Sequence, residues 1–518
     1  MTATRLRRLG AALVTLAVAS LTLTGCLYSQ IPKESAGYSG ADKTPSTVGV
    51  PAGLEKYYSQ TVDWSSCAKA MQCGTVSVPL DYADPSGASI DLALVRARPS
   101  GTPQGSLLVN PGGPGASGVD FVESSLSYAV AAPVRAAFDI VGFDPRGVGK
   151  SSPVKCLDGK AMDEYLYAPV AGVRGSQEWL DDEDARAKSF ADACEANSGK
   201  ILPFITTENA AKDMDVMRAV LGDDKLNYLG YSYGTKLGAT YAGLFPERVG
   251  RLVLDGALDP EMTGDEVGLV QAKGFQTALT AYMQNCLDGS QCPFTGTVDQ
   301  ALGDLRTLLD TVDANPLPNS DGRKLDGADL SLAITAALYS EDSWSYLTEA
   351  LAKAMEGDPS TAFFLADFYN GRQGPGKYED NSTEAFNAYN CMDYQPSEET
   401  DTESSYEDAE KKIAAVAPTI AKYWLGADVC EYWAAPPTGK AGRITADGAA
   451  PIVVVGTTND PATPYEWAVA LSDQLSSGVL ITRKGDGHTG YNKGNSCVDD
   501  AVNDYFTKRT VPTDGLTC

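Results

Sequence analysis

Short apolar segments alternate with helical segments along this chain, and one long helical stretch interrupts the alternation. Strand-like segments occur at 76–80, 90–98, 106–110, 138–143, 226–229, 251–254, 452–455 and 479–482. Strands that alternate with helices are typical of a mostly parallel, doubly wound sheet with helices on both faces. Residues 261–447 carry helical patterns with few strand signals, which predicts a helical cap inserted into an α/β core.

The spacing of apolar side chains predicts helices on both sides of this boundary. In the core they are expected at 117–136, 207–221 and 235–244, and another begins near Tyr465. In the cap they are expected at 267–287, 298–312, 330–340, 344–355 and 406–424. The core is therefore predicted in two parts, at 51–260 and 448–518, on either side of the cap.

A Gly-x-Ser-x-Gly motif stands at 230–234, directly after one predicted strand and before a predicted helix. In that context the motif is typical of a nucleophile elbow, a sharp turn that exposes a serine above the sheet. The flanking glycines tolerate its tight backbone. The motif predicts an α/β-hydrolase fold with Ser232 as the nucleophile.

A serine hydroxyl is a poor nucleophile and needs a base within hydrogen-bond reach. The chain contains a single histidine, His488, on a loop after the last predicted strand. In this fold the orienting acid lies between serine and histidine in chain order. Asp460 follows the strand at 452–455 and is the predicted acid. Asp486 is the rival, but its position two residues before the histidine favours a role in shaping the loop.

The tetrahedral intermediate of acyl transfer needs two preorganised amide donors. The first is expected to be the amide of Tyr233, immediately after the nucleophile. The second is expected from Asn-Pro-Gly-Gly-Pro-Gly at 110–115, because glycines let the backbone approach a substrate closely. The Gly113 amide is favoured, with Gly112 as the alternative.

The N-terminus has the pattern of an export signal. Three arginines precede a short apolar run from Leu13 to Leu23, which ends in Leu-Thr-Gly-Cys at 23–26. That ending resembles the bacterial lipobox, so 1–25 is the predicted signal peptide and Cys26 the predicted lipidation site. The alternative is an ordinary signal peptide with an incidental cysteine. Residues 26–50, rich in Ser, Gly, Pro and Thr, predict a flexible tether to the outer face of the membrane.

Ten cysteines remain after Cys26, and an even number in an exported chain predicts disulfides. Pairing neighbours in chain order gives Cys67–Cys73, Cys156–Cys194, Cys286–Cys292, Cys391–Cys430 and Cys497–Cys518. One histidine and no paired CxxC motif argue against zinc, so no metal or cofactor is expected. The net charge of −27 repels phosphate backbones, so nucleic acid is not an expected partner. The oligomeric state is left open.

Five segments together resemble a known family. They are Asn-Pro-Gly-Gly-Pro-Gly at 110–115, Phe-Asp-Pro-Arg-Gly-Val-Gly at 143–149, Gly-Tyr-Ser-Tyr-Gly-Thr at 230–235, Leu-Val-Leu-Asp-Gly at 252–256 and Asp-Pro-Ala-Thr-Pro at 460–464. They resemble the actinobacterial tripeptidyl aminopeptidases and mycelium-associated lipoprotein proteases, a branch of the proline iminopeptidase-like serine peptidases. The resemblance runs from about residue 55 to the end and includes the lipobox architecture.

The resemblance implies an exopeptidase that releases short peptides, such as tripeptides, from the free N-termini of oligopeptides. It also implies acidic cap groups that bind the substrate ammonium. Asp393, in Asn-Cys-Met-Asp at 390–393, is the first candidate for that role. The pair Glu341 and Asp342 is the second, with a helix cap as its alternative role. Two other functions stay open, namely a carboxylesterase with the same triad and a non-catalytic peptide-binding lipoprotein.

Overall fold

The computed structural model describes residues 42–68, 70–396 and 402–518. The predicted signal peptide, Cys26 and most of the predicted tether therefore lie outside the described residues. No helix within the described ranges is long and apolar enough to cross a membrane.

A ten-stranded sheet forms the centre of the molecule, in the order β1-β2-β3-β5-β4-β6-β7-β8-β9-β10. Its strands are β1 (Ser65–Ser66), β2 (Gln72–Pro79), β3 (Ser89–Ala97), β4 (Ser106–Asn110), β5 (Asp139–Phe143), β6 (Leu226–Tyr231), β7 (Val249–Asp255), β8 (Ile452–Asn459), β9 (Gly478–Asp486) and β10 (Leu516–Thr517). The first three strands are antiparallel, and the seven from β5 to β10 in this order run parallel.

The α-helices of the described residues surround and cover this sheet. They are α1 (Glu55–Tyr58), α2 (Gly118–Ala129), α3 (Ala132–Arg135), α4 (Gly159–Tyr167), α5 (Gln177–Ser198), α6 (Thr207–Val220), α7 (Tyr233–Leu244), α8 (Gly264–Asp288), α9 (Val298–Ala314), α10 (Gly327–Leu338), α11 (Trp344–Met355), α12 (Ser360–Tyr369), α13 (Ser382–Asp393), α14 (Glu403–Ala414), α15 (Tyr465–Gln474) and α16 (Ser496–Lys508).

The eight predicted strands all occur, as β2 to β9, and the predicted α/β fold is confirmed. Every residue of β4, β5 and β6 is buried. Strands buried on both faces read as continuous apolar runs, which is why these were recognisable in the sequence. The parallel sheet also brings the carboxyl ends of β6, β7 and β8 to one edge.

The helices α8 to α14 form the cap, which connects β7 to β8. These two strands are neighbours in the sheet, with Leu252 opposite Ile452. The cap has its own hydrophobic cluster, which includes Phe275, Leu309 and Leu347. Two short antiparallel ribbons also lie in the cap, Leu317–Pro318 with Lys324–Leu325 and Arg372–Gly374 with Lys377–Tyr378.

Two predicted helices are shorter than expected because of proline. The helix predicted at 406–424 ends at Ala414, before Pro418, which has no amide hydrogen to donate. The helix predicted at 117–136 divides into α2 and α3, with Val130 extended between them and Pro133 in the first turn of α3. Proline is compatible with the first turn of a helix but not with its interior.

The sequence patterns missed the helices α1, α4, α5, α12 and α13. The helix α5 is strongly acidic and lacks a clear apolar stripe, so periodicity did not reveal it. The Cys156–Cys194 disulfide ties it to the loop before α4. Its Trp179 packs 5.4 Å from the ring of Tyr406 in α14. The first part of the core therefore contains a segment that contacts the cap.

Residues 42–50 lie against the core. Lys43 forms an ion pair with Asp223 at 2.6 Å, and the Ser46 hydroxyl donates to Asp224 at 2.6 Å. The Ser46 amide also donates to the Ala219 carbonyl at 2.8 Å. The composition of this segment predicted a flexible tether, but its last residues make specific contacts with α6 and the loop that follows.

All ten cysteines of the described residues are in disulfides, and the pairing is the one predicted from chain order. The bonds are Cys67–Cys73, Cys156–Cys194, Cys286–Cys292, Cys391–Cys430 and Cys497–Cys518.

Candidate active site

Ser232 lies between β6 and α7, at the carboxyl edge of the parallel strands. Its backbone has φ +54° and ψ −125°, a conformation that costs a non-glycine residue about 1–3 kcal/mol. Two hydrogen bonds hold it there. The Ser232 amide donates to the Asp255 carbonyl at 2.9 Å, and the Thr235 amide donates to the Ser232 carbonyl at 2.8 Å. This is the strained turn that the motif at 230–234 predicted.

His488 and Asp460 form a hydrogen-bonded pair at the same edge of the sheet. The Nδ1 of His488 lies 2.9 Å and 3.0 Å from the two carboxylate oxygens of Asp460. Asp460 is buried and also accepts from the amides of Thr463 at 2.8 Å and Thr489 at 3.0 Å. A carboxylate held this firmly can fix the imidazole tautomer and stabilise an imidazolium.

Asp486, the rival acid, has other partners. Its carboxylate accepts from the Asn459 side chain at 3.0 Å, and its carbonyl accepts from Arg483 at 2.7 Å. These contacts tie β8 and β9 together at the start of the histidine loop. Asp486 therefore shapes the loop, and the described contact to the imidazole is made by Asp460.

Asp255, at the end of β7, connects the serine turn to the histidine loop. Its carbonyl accepts from Ser232, and its buried carboxylate accepts from the amides of Gly490 and Tyr491, both at 2.8 Å. Burial raises the pKa of the Asp255 carboxyl to about 6, although these two amide hydrogen bonds act to lower it. The sequence showed Asp255 only as part of Leu-Val-Leu-Asp-Gly. Its position at the end of a buried strand was the available signal.

Tyr339, which follows α10, attaches the cap to the histidine. Its carbonyl accepts from the His488 amide at 2.8 Å. Its ring meets the imidazole edge-on, with centroids 5.2 Å apart, and the ring of Tyr369 lies 5.9 Å away on the other side. No sequence pattern pointed to Tyr339, because the contact joins two distant parts of the chain.

The loop at 110–115 lies against Ser232. A Cβ at Gly112 would lie 2.9 Å from the Ser232 Cβ and 3.1 Å from the Tyr233 amide nitrogen, so only glycine fits this close approach. The Gly112 amide donates to the Asn110 side chain at 3.0 Å. The Gly113 amide has no hydrogen-bond partner among the described residues. Among the described residues, the Gly112 amide thus already has an acceptor, and the Gly113 amide does not.

Comparison with known proteins identifies relatives over most of this chain. A family model for TAP-like proteins matches residues 417–518. The serine protease Hip1 of Mycobacterium tuberculosis is 38% identical over 482 residues, which is 89% of this chain and 91% of that protein. The tripeptidyl aminopeptidase of Streptomyces lividans is 33% identical over 474 residues, which is 88% of this chain and 86% of that protein.

The chain belongs to the tripeptidyl aminopeptidase-like family of α/β-hydrolases. It is a serine hydrolase. Carboxylesterase B of Mycobacterium tuberculosis is another relative, 37% identical over 510 residues that make up 95% of this chain and 96% of that protein.

In this hydrolase Asp393 already has a cationic partner. The residue is buried, and its carboxylate lies 3.3 Å from the Lys236 ammonium. It also accepts from the Thr207 amide at 3.0 Å and from the Thr207 hydroxyl. Lys236 of the same chain therefore already meets the charge of Asp393, and the role of Asp393 in binding a substrate ammonium stays a prediction.

Glu341 and Asp342 are exposed and lie next to the histidine loop. They begin a short helix, Glu341–Ser343, that starts two residues after Tyr339. The helix cap is Ser340, whose hydroxyl accepts from the Asp342 amide at 3.3 Å, so the two carboxylates are not used as caps. Arg483 lies 4.0 Å from Glu341, a long contact for an exposed pair. Both carboxylates remain accessible to a ligand.

Proposed function

We propose that the protein is an exported serine exopeptidase that releases short peptides, such as tripeptides, from free N-termini. Ser232 is the nucleophile, His488 the base and Asp460 the orienting acid. The observation that carries the proposal is the hydrogen bond between His488 and buried Asp460, at the same edge of the sheet as a serine held in a strained turn. The relatives named serine protease and tripeptidyl aminopeptidase support a peptide substrate.

The reaction proceeds through an acyl-enzyme. His488 takes the hydroxyl proton of Ser232 through Nε2, because Nδ1 faces Asp460, and the serine oxygen attacks the substrate carbonyl. The amides of Tyr233 and Gly113 donate to the oxyanion that forms. The imidazolium then gives its proton to the leaving amine. Water attacks the acyl-enzyme by the same route in reverse, with His488 again as the base.

Recognition of a free N-terminus needs a carboxylate that no cation of the chain occupies. Glu341 and Asp342 are exposed, and Arg483 lies as far as 4.0 Å from Glu341, whereas Asp393 is buried with Lys236 at 3.3 Å. Exposed ion pairs contribute only about 0–1 kcal/mol, so their effect on peptide affinity is modest. We therefore assign the ammonium contact to Glu341 and Asp342 jointly.

The test compares peptides that differ only in an N-terminal acetyl group, with the released fragments identified by mass spectrometry. We expect free peptides to be shortened from the N-terminus and acetylated ones to be cleaved several-fold more slowly. The Glu341→Gln/Asp342→Asn variant is expected to raise KM for free peptides several-fold with kcat little changed. Equal cleavage of free and acetylated peptides would contradict the exopeptidase function.

A carboxylesterase is the second candidate, favoured by the relative named carboxylesterase B. The same nucleophile, base and oxyanion site can hydrolyse both peptide amides and esters. The two functions therefore differ in the substrate that is bound. Comparing kcat/KM for a peptide amide with that for an ester of the same acyl group separates the two. Hydrolysis of the ester alone would favour the carboxylesterase. A fluorophosphonate probe that labels wild type but not Ser232→Ala tests the nucleophile independently.

We also infer that the protein is exported and attached through Cys26 to the outer face of the membrane, with shedding to the medium as a second fate. Leu-Thr-Gly-Cys at 23–26 supports the attachment, and the five disulfides suit an oxidising compartment. Metabolic labelling with an alkyne fatty acid is expected to mark the wild type and not Cys26→Ala. Equal labelling of both would refute attachment at Cys26.

A further inference from the structure

One face of α13 lies beside the nucleophile. Tyr389 on this face packs its ring 5.7 Å from that of Tyr233, the residue after Ser232. One turn earlier, the Phe386 amide nitrogen lies 2.9 Å from where a Cβ on Gly115 would be. Residues three apart on a helix are surface neighbours, so Phe386 lies next to Tyr389 on α13. Phe386 therefore belongs to the wall beside the oxyanion loop.

Phe386 is nevertheless only half-buried. Its side chain is 46% exposed, whereas Tyr389 on the same face is 1% exposed. The described chain therefore leaves almost half of this apolar residue uncovered. Its backbone lies against Gly115 of the loop at 110–115, where the substrate carbonyl is expected.

A second half-exposed aromatic residue lies on the histidine side. Tyr369, at the end of α12, is 46% exposed, and its ring lies 5.9 Å from Tyr339. Tyr339 in turn packs 5.2 Å from the ring of His488. The cap thus presents one uncovered aromatic ring near the oxyanion loop and another near the base.

We propose that Phe386 and Tyr369 are the apolar walls of the substrate cleft and that they select an acyl group with an apolar side chain. This rests on the proposed acyl transfer at Ser232. A substrate side chain that covers the exposed part of Phe386 removes apolar surface from water, which favours binding. A polar side chain in the same place loses hydration without gaining a hydrogen bond.

Phe386→Ala is the test variant, and Phe364→Ala is its matched control. Phe364 is also a cap phenylalanine, 56% exposed, but its ring packs 5.9 Å from that of Tyr346 on α11. Both substitutions remove a partly exposed ring from a helix, so effects on the cap in general appear in both. Phe386→Leu keeps an apolar side chain and is the conservative variant.

Two substrate pairs are used, peptides with Leu or Asn at the residue whose carbonyl is attacked, and p-nitrophenyl hexanoate or acetate. Wild type is expected to prefer Leu and hexanoate in kcat/KM. Phe386→Ala lowers each preference roughly tenfold, whereas Phe386→Leu and Phe364→Ala keep it. No preference in wild type, or the same loss in Phe386→Ala and Phe364→Ala, overturns the proposal. If no peptide is cleaved but the ester preference follows Phe386, the exopeptidase function fails and the apolar wall stands.

Discussion

Single residues in this site are each held in place by at least two hydrogen bonds. Ser232 keeps an unfavourable backbone conformation because its amide and carbonyl are both hydrogen-bonded. Asp255 holds three amides of two different segments, one through its carbonyl and two through its carboxylate. His488 is fixed through Nδ1 by Asp460 and through its amide by Tyr339. The catalytic geometry therefore depends on residues that do not touch the substrate.

The proposed triad predicts a non-additive loss of activity. Ser232→Ala, His488→Ala and Asp460→Ala are each expected to lower kcat by on the order of 10⁴-fold or more. The double variant Ser232→Ala/His488→Ala should lose little more, because the groups act as a unit. The measurement is kcat on an activated ester, with thermal unfolding as the check on folding. Near-normal turnover by His488→Ala would exclude the mechanism, since the chain has no other histidine.

Asp255 predicts a pH dependence of stability. The pKa of its carboxyl is raised by burial from an ordinary 3.8 to about 6, so the folded state favours the protonated form. The stabilising contribution of protonated Asp255 is present below about pH 4 and is lost as the pH rises through 6. The free energy of unfolding should fall over this window by about 3 kcal/mol relative to Asp255→Asn. Denaturant unfolding of both proteins between pH 4 and 7 measures it, and parallel profiles would contradict the assignment.

At the scale of elements, residues at the ends of two cap helices contact the core. Asp393, at the C-terminal end of α13, forms an ion pair with Lys236 of α7, the helix that follows Ser232. Tyr339, the residue after α10, accepts a hydrogen bond from the histidine loop. Because α7 and the histidine loop both carry proposed catalytic groups, the cap and the catalytic geometry depend on each other.

The Asp393–Lys236 pair predicts a loss of stability rather than of substrate recognition. Asp393→Asn leaves a mostly buried ammonium without its partner, which costs about 3–5 kcal/mol. Peptide and ester turnover should fall together as the folded fraction falls. Lys236→Met/Asp393→Asn removes the uncompensated charge and is expected to recover most of the lost stability. A stable Asp393→Asn variant that loses only peptide turnover would instead support a role in binding the substrate.

At the scale of the whole molecule, disulfides join segments that are not held together by the hydrogen bonds of the sheet. Cys391–Cys430 connects α13 to the segment that leads back to the core, across a sequence separation of 39 residues. Cys286–Cys292 closes a separation of only 6 residues at the end of α8. Longer closed loops restrict the unfolded chain more strongly.

The two disulfides predict different losses of stability. Replacing Cys391 and Cys430 by serine should lower the free energy of unfolding by about 1.5 kcal/mol more than replacing Cys286 and Cys292, from loop length alone. Denaturant unfolding of the two double variants measures the difference. The reverse order would show that strain or packing outweighs the loop entropy.

Much of the fold followed from local patterns. The buried strands β4 to β8 are continuous apolar runs, and the turn at Ser232 is set by a strand, two glycines and a helix within twenty residues. The order of Ser232, Asp460 and His488 in the chain, and the single histidine, left few alternatives for the site. Cysteine pairing followed from chain order alone. Prediction failed locally at Pro133 and Pro418. Proline has no amide hydrogen to donate, so the helix ends earlier than the periodicity of apolar residues predicts.

Only the tertiary structure decided which distant groups meet. Asp255 and Gly490 are 235 residues apart, and Asp393 and Thr207 are 186 apart, so neither contact has a signature in nearby residues. Asp393 and Glu341 look alike as acidic residues of the cap, yet one is buried against Lys236 and the other is exposed beside the histidine loop. A carboxylate's partner and burial determine its role, and both are set by packing between elements rather than by the sequence around it.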